Sequence, residues 1–335
     1  MLKTPAHYRP GLDFVRRAAL LPVLCYHFCI EAAWSGFAVP DAFIGRAMAD
    51  WVELGLAWFF LLSGAALCLQ WQGRFRWRPY LAGRTAAMYP PFWLCFGALF
   101  LYGEVLHGNN PGIPRWRVIF SILGLDGYLS PLTPTFYKVG EWFLGVILLL
   151  YLLFPLLLWC LKSRARRYAL LAAMVLLQLG WPALCPAPLA AGHTVLGRLP
   201  AFALGVWFGS LLAQNRIPLP RALWALAGAA LLWVPGALRL APLLAVSAAL
   251  FWVLYALGQK LPRKTWGVLR RLAAWSYGVY LIHHVLLTLV LLPAAQRTGL
   301  PLPLWFPAFL AMSFALAAVL AVVSAPISRQ IKRLG

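Results

Sequence analysis

Stretches of lipid-spanning length return again and again along this chain, and they limit what it can fold into more than any other feature. Apolar runs occupy 14–34, 51–71, 87–105, 141–161, 168–185, 197–214, 222–237, 240–257, 273–292 and 305–326. A helix of roughly 20 residues crosses a hydrocarbon core about 30 Å thick. Inside that core every backbone N–H and C=O must be paired within the protein, which leaves helices or a closed barrel. Runs this long and continuous select helices. The expected fold is therefore an all-α integral membrane bundle of about ten transmembrane helices. The pair of runs over 222–257 is the most interrupted, by Pro235, Arg239 and Pro242.

Composition agrees. Hydrophobic residues make up 63% and charged residues 11% of 335 positions, with a mean hydropathy of +0.78. A water-soluble domain with these proportions would expose large contiguous apolar patches. With ten spans both termini fall on one side, and 22 of the 29 Lys and Arg residues then fall on that side too. Basic residues concentrate in cytoplasmic loops, so both termini are expected in the cytoplasm. The net charge of +21 then reflects topology and contact with anionic membrane lipids. No segment has room for a folded basic surface with exposed aromatics, which argues against a nucleic-acid partner.

The chain reads as a single domain over 1–335, with no linker, no convincing internal repeat and no appended soluble domain. Arg16 and Arg17 before an apolar run imitate a signal peptide. With no small-x-small cleavage pattern and nine further runs behind it, an uncleaved first span is expected. The longest stretch between spans, about 106–140, lies outside and carries the turn formers NNPG and SPLTP. Its segment RWRVIFSILGLDGYL, 115–129, is apolar but too short to cross, and reads as a re-entrant or interfacial helix.

Chemistry enters with GLDFVRRAALLPVLCYHF, 11–28. Arg16 and His27 are eleven residues apart, which at 100° per residue brings them within about 20° of one face and about 16 Å apart along the axis. Asp13 precedes Arg16 by three residues and can pair with it. Glu31 follows His27 by one turn on the same face and can accept from its imidazole. Ionisable groups in a bilayer are costly and face cavities, so a stripe of Asp, Arg, His and Glu marks a path for water or ligand. The six cysteines form no C-x-x-C pair, and His283 and His284 are adjacent, about 100° apart on a helix. Neither pattern has metal-ligand spacing, so no metal is expected.

This first span resembles that of the acyltransferase-3 family of bacterial integral-membrane O-acyltransferases, whose hallmark is an arginine, ten residues, then a histidine. Arg16 and His27 stand at those positions. LGLAWFFLLSGAAL (54–67), GRTAAMYPPFW (83–93), EWFLGVILLLYLLFP (141–155), GRLPAFALGVWFG (197–209) and SYGVYLIHH (276–284) are similar to later family segments, in the family's order. The resemblance implies an inner-membrane enzyme that moves an acyl group, usually acetyl, from acyl-coenzyme A to a hydroxyl. The acceptor is a sugar of a surface glycan, a glycolipid precursor or an exported product. His27 inherits the essential histidine's role as base or transient acyl carrier. Arg16 and Arg84 occupy motif positions suited to the coenzyme A phosphates, with Arg17, Arg78 and Asp13 nearby.

Two departures stand out. Position 87, where family members often carry a second arginine, is Ala87. The motif V-E-E-Q-F-Y is replaced by Val146-Ile147-Leu148-Leu149-Leu150-Tyr151. Glu141 or Glu31 is then the acid that would orient His27. Ser276, Tyr277 and His283 are candidate acceptor contacts, with packing as the equal alternative. Trp142 is a candidate stacking surface for a sugar, against the stronger alternative of a tryptophan in the interfacial belt. A polytopic transporter or flippase for a glycan or lipid-linked intermediate is the rival reading, because polar stripes also line translocation paths.

Overall fold

A computed structural model describes residues 8–108, 112–136, 139–187, 189–217 and 240–335. Among these residues all regular structure is helical. The long helices are α1 (Pro10–Trp34), α2 (Arg46–Trp71), α3 (Trp77–Phe100), α6 (Glu141–Leu161), α7 (Arg164–Leu184), α8 (Val195–Ala213), α9 (Leu240–Gln259), α10 (Trp266–Leu286) and α12 (Trp305–Arg333). Two short helices, α4 (Val118–Leu123) and α5 (Asp126–Leu129), sit in the loop before α6, and α11 (Leu292–Thr298) follows α10 through a π-helical turn, Leu287–Leu291.

Seven of these helices, α2, α3, α6, α7, α8, α10 and α12, are long and apolar enough to cross a membrane. α1 has the length but carries Asp13, Arg16, Arg17 and Glu31. The apolar part of α9 is shorter, Leu243–Gln259. Nine of the ten expected spans thus coincide with helices, seven of them meeting the length and hydropathy of a span. The tenth, 222–237, lies outside the described residues. The protein is a multi-pass membrane protein, and its outer faces show it: Leu176, Leu179 and Leu184 on α7 are 70%, 62% and 74% exposed, which suits lipid and not water.

α1 lies at the centre, packed against α2, α9 and α10, while α2 packs most extensively on α8. That last contact needs small residues. A Cβ built on Gly209 would lie 2.5 Å from the Ala65 carbonyl oxygen, and Gly64 and Gly205 are equally crowded by the facing backbone. Glycines let two membrane helices approach to backbone contact, where dispersion and packing hold them. On the opposite side α12 packs on α10 and α3.

Helix ends depart from the hydropathy boundaries where arginines lie. α3 begins at Trp77, ten residues before its apolar run, so Arg78 and Arg84 are helical. The 115–129 segment is two helices rather than one, because Gly124 takes φ +73° and ends the first. α5 then lies against the start of α6, with Gly127 close to the Trp142 backbone.

Candidate active site

The polar stripe of α1 forms as its spacing requires. Asp13 Oδ1 is 3.5 Å from Arg16 Nη1, and its Oδ2 accepts from the Tyr8 hydroxyl at 2.8 Å. Arg16 then lines a cavity of about 260 Å³ between α1, α2, α3, α6 and α10. Ala87, Tyr151, Ser276, Tyr277 and Tyr280 line it too. Arg84 stands over the Tyr151 ring, 5.6 Å from its centre, and donates to Gln70 Oε1 at 3.5 Å. Of the two motif arginines only Arg16 lines the cavity; Arg84 is not a lining residue and stands behind Tyr151, which is. Arg17 and Arg78 are not among its lining residues.

Tyr280 closes the other end. Its hydroxyl donates to the Gly140 carbonyl at 2.9 Å, a contact that Gly140 permits by taking φ +75° with no side chain in the way. Tyr280 lies 5.7 Å ring to ring from His283, and His283 meets His27. The His27 ring is only partly buried and has aromatic and polar neighbours: Tyr26 at 5.5 Å, His283 at 4.9 Å and His284 at 4.2 Å between ring centres.

The hydrogen bonds assign the protons. His283 Nδ1 is 2.6 Å from the Tyr280 carbonyl oxygen, which only accepts, so Nδ1 carries the proton. In a neutral ring Nε2 is then a lone pair. It sits 3.2 Å from His27 Nδ1, which must donate. His27 Nε2 is left as an unprotonated nitrogen, the form that can take a proton from a hydroxyl.

Glu31 acts on a different ring from the one expected. Its Oε1 is 3.0 Å from His284 Nδ1, and His284 in turn packs on His27. Glu141 is 1% exposed, and its Oε2 accepts from the Val139 N–H at 3.0 Å. Ser276 and Tyr277 both line the cavity: Ser276 donates to the Ala273 carbonyl within its own helix, while Tyr277 donates to the Met88 carbonyl and ties α10 to α3. One face of Trp142 is covered by His193, stacked at 4.3 Å and 23°. The adjacency of His283 and His284 did not foretell their convergence with His27, because the third ring comes from another helix.

A second ionised pair escaped the sequence reading. Arg198 on α8 donates to both oxygens of Glu53 on α2, at 2.8 and 3.0 Å, and its Nε donates to the Gly192 carbonyl. The guanidinium also stands 5.9 Å from the Trp142 ring centre. Beside it, in the turn outside the spans, His193 is held below the ordinary imidazole pKa by burial first and then by Arg198, with Glu53 opposing. The signal was available: Glu53 and Arg198 are ionisable residues within apolar segments, the same criterion that singled out His27.

The acyltransferase domain of the Acyl_transf_3 family matches residues 9–322, nearly the whole chain. The chain belongs to this acyltransferase family. Searches of curated proteins and of solved structures gave no match. Family membership over this length makes the protein a membrane acyltransferase, and the transporter reading gives way to it.

Proposed function

We propose that this membrane acyltransferase moves an acyl group, acetyl in the simplest case, from acyl-coenzyme A to a sugar hydroxyl at the bacterial inner membrane. The observation that carries the proposal is the cavity with Arg16 at one end and Tyr280, one ring from the histidine cluster, at the other. At about 260 Å³ it is smaller than the usual site for a whole drug-sized ligand. It suits a slim thioester arm whose nucleotide stays outside.

In this scheme Arg16 and Arg84 draw the phosphates to the cytoplasmic mouth, where both termini also lie. Guanidinium suits phosphate because it donates two parallel bonds. His27 Nε2 takes the proton of the acceptor hydroxyl as that oxygen attacks the thioester carbonyl. The tetrahedral adduct collapses, the C–S bond breaks, and the imidazolium returns its proton to the departing thiolate. In the covalent variant Nε2 attacks the carbonyl first and the C–S bond breaks to release the thiolate. The hydroxyl then attacks the acyl carbon of the acyl-imidazole, the C–N bond breaks to return free His27, and the hydroxyl proton goes to the thiolate. Glycan or glycolipid acceptors reach the cluster from the outer side, past Trp142 and the Glu53–Arg198 pair.

The test is thiol release from acetyl-coenzyme A by detergent-purified protein, with and without a glycan acceptor. Release that needs His27 and rises with acceptor is the expected result. Release that persists in His27→Ala at the wild-type rate would sink the scheme.

A further inference from the structure

Three imidazoles from two helices converge beside the cavity. One nitrogen from each of His27, His283 and His284 lies within 4.8 Å of the other two. His283 is buried, and the other two are partly accessible. Two features separate this cluster from ordinary packing of rings.

The first is the arrangement of the far nitrogens. His283 Nδ1 is bound to the Tyr280 carbonyl and His284 Nδ1 to the Glu31 carboxylate. Each bond fixes the proton on Nδ1 and leaves Nε2 as a lone pair. A backbone carbonyl and a carboxylate are the usual outer partners of metal-bound histidines, because they set the tautomer and raise the basicity of the coordinating nitrogen. The second is distance. Two nitrogens held about 2.05 Å from one tetrahedral zinc are about 3.3 Å apart. His27 Nδ1 and His283 Nε2 are 3.2 Å apart. Glu31 adds a negative charge one hydrogen bond away, which a dication in a low-dielectric bundle requires.

We infer that His27, His283 and His284 form a binding site for a divalent transition cation of the zinc class, and that its occupancy switches acyl transfer off. The binding stands on the cluster alone, and the switch rests on the proposed role of His27. A neutral imidazole has one N–H. In the free enzyme that proton is on Nδ1, shared with His283, and Nε2 is the base. A cation that takes the Nδ1 lone pair moves the proton to Nε2. No proton leaves the ring, yet the nitrogen that accepts from substrate has become an N–H. The hydrogen bond to His283 and the base are lost together.

The experiment uses full-length protein purified in detergent without a histidine tag and stripped of metal. Zn²⁺ is titrated by calorimetry, and Co²⁺ is followed by its visible absorption. One equivalent per chain is expected, with the intense bands of a tetrahedral site. His284→Ala and His283→Ala should each weaken binding at least tenfold and Glu31→Gln roughly tenfold, while His107→Ala changes nothing. Absence of stoichiometric binding, or affinity unchanged in both histidine variants, overturns the site. In the activity arm, one equivalent of Zn²⁺ should stop thiol release and a chelator should restore it. Release that continues with Zn²⁺ bound, or that a chelator abolishes, overturns the switch. Stoichiometric binding by a protein that never releases thiol leaves the site standing and removes the acyl-transfer scheme instead.

Discussion

His27 Nδ1 lies 3.2 Å from His283 Nε2, a contact between two side chains 256 residues apart. In the proposed scheme it makes His283 a positioning residue, one that holds the tautomer of His27. His27→Ala should lower kcat by roughly 10²–10⁴-fold, the usual contribution of a general base. His283→Ala should also lower kcat, because the ring it orients is free to adopt the wrong tautomer. The KM for acyl-coenzyme A should stay unchanged. His283→Gln supplies a side-chain oxygen that can accept from Nδ1 and should recover part of the rate. A Gln variant no better than Ala would remove the orienting role.

In the same scheme Arg16, which lines the cavity, acts on the donor. A charge-assisted bond to phosphate contributes about 1.5–3 kcal/mol, so Arg16→Ala should raise the KM for acyl-coenzyme A by about 10–100-fold with kcat little changed. Arg16→Lys keeps the charge but loses the two-pronged geometry and should fall between. Isothermal titration with coenzyme A against each variant checks the binding directly. Equal affinity in all three would take Arg16 out of the donor site.

The path from sequence to site was open along α1 and closed across it. Asp13, Arg16, His27 and Glu31 could be placed on one stripe because helical periodicity is local, and the Asp13–Arg16 pair is present. What Glu31 touches could not be read, since its partner His284 belongs to a helix 253 residues away. Hydropathy located α6 to the residue, 141–161, where Gly140 and the Lys162 loop bound a run that is apolar after Glu141. It misplaced the start of α3 by ten residues, because the arginines of that helix lie outside the apolar run and hydropathy marks only where lipid is met. Glu53 and Arg198 show a different gap. Each was visible as an intramembrane charge, but only tertiary structure pairs them.

That pair supports a stability prediction. Arg198 is 4% exposed, and removal of its counter-charge strands a buried cation. Glu53→Gln should therefore destabilise the protein by about 3 kcal/mol, the cost of breaking a buried pair from one side. Replacing both, Glu53→Gln with Arg198→Leu, should cost clearly less than the two single changes together. Thermal unfolding in detergent, followed by thiol accessibility of buried Cys68, measures all four proteins. Additive losses would mean that the carboxylate and guanidinium act independently.

The loop before α6 carries a titrating group of its own. Asp126 at the start of α5 is fully buried, and neither carboxylate oxygen has a hydrogen-bond partner among the described residues. Burial pushes its pKa up to about 6. An acid whose folded pKa is raised binds its proton more tightly in the folded state than in the unfolded one. Stability is therefore greatest below the ordinary carboxylate value near 3.8 and falls as pH rises towards about 6, with the loss complete above it. Since α5 lies against the first turn of α6, hydrogen exchange across 118–129 should slow as pH falls from 7.5 to 4.5, after correction for intrinsic exchange rates. Asp126→Asn cannot ionise, so it should be more protected than wild type at pH 7.5, by on the order of 1–3 kcal/mol, with the difference shrinking as pH falls and gone only below the ordinary carboxylate value near 3.8. Protection in the Asn variant that still changed with pH would assign the effect to another group.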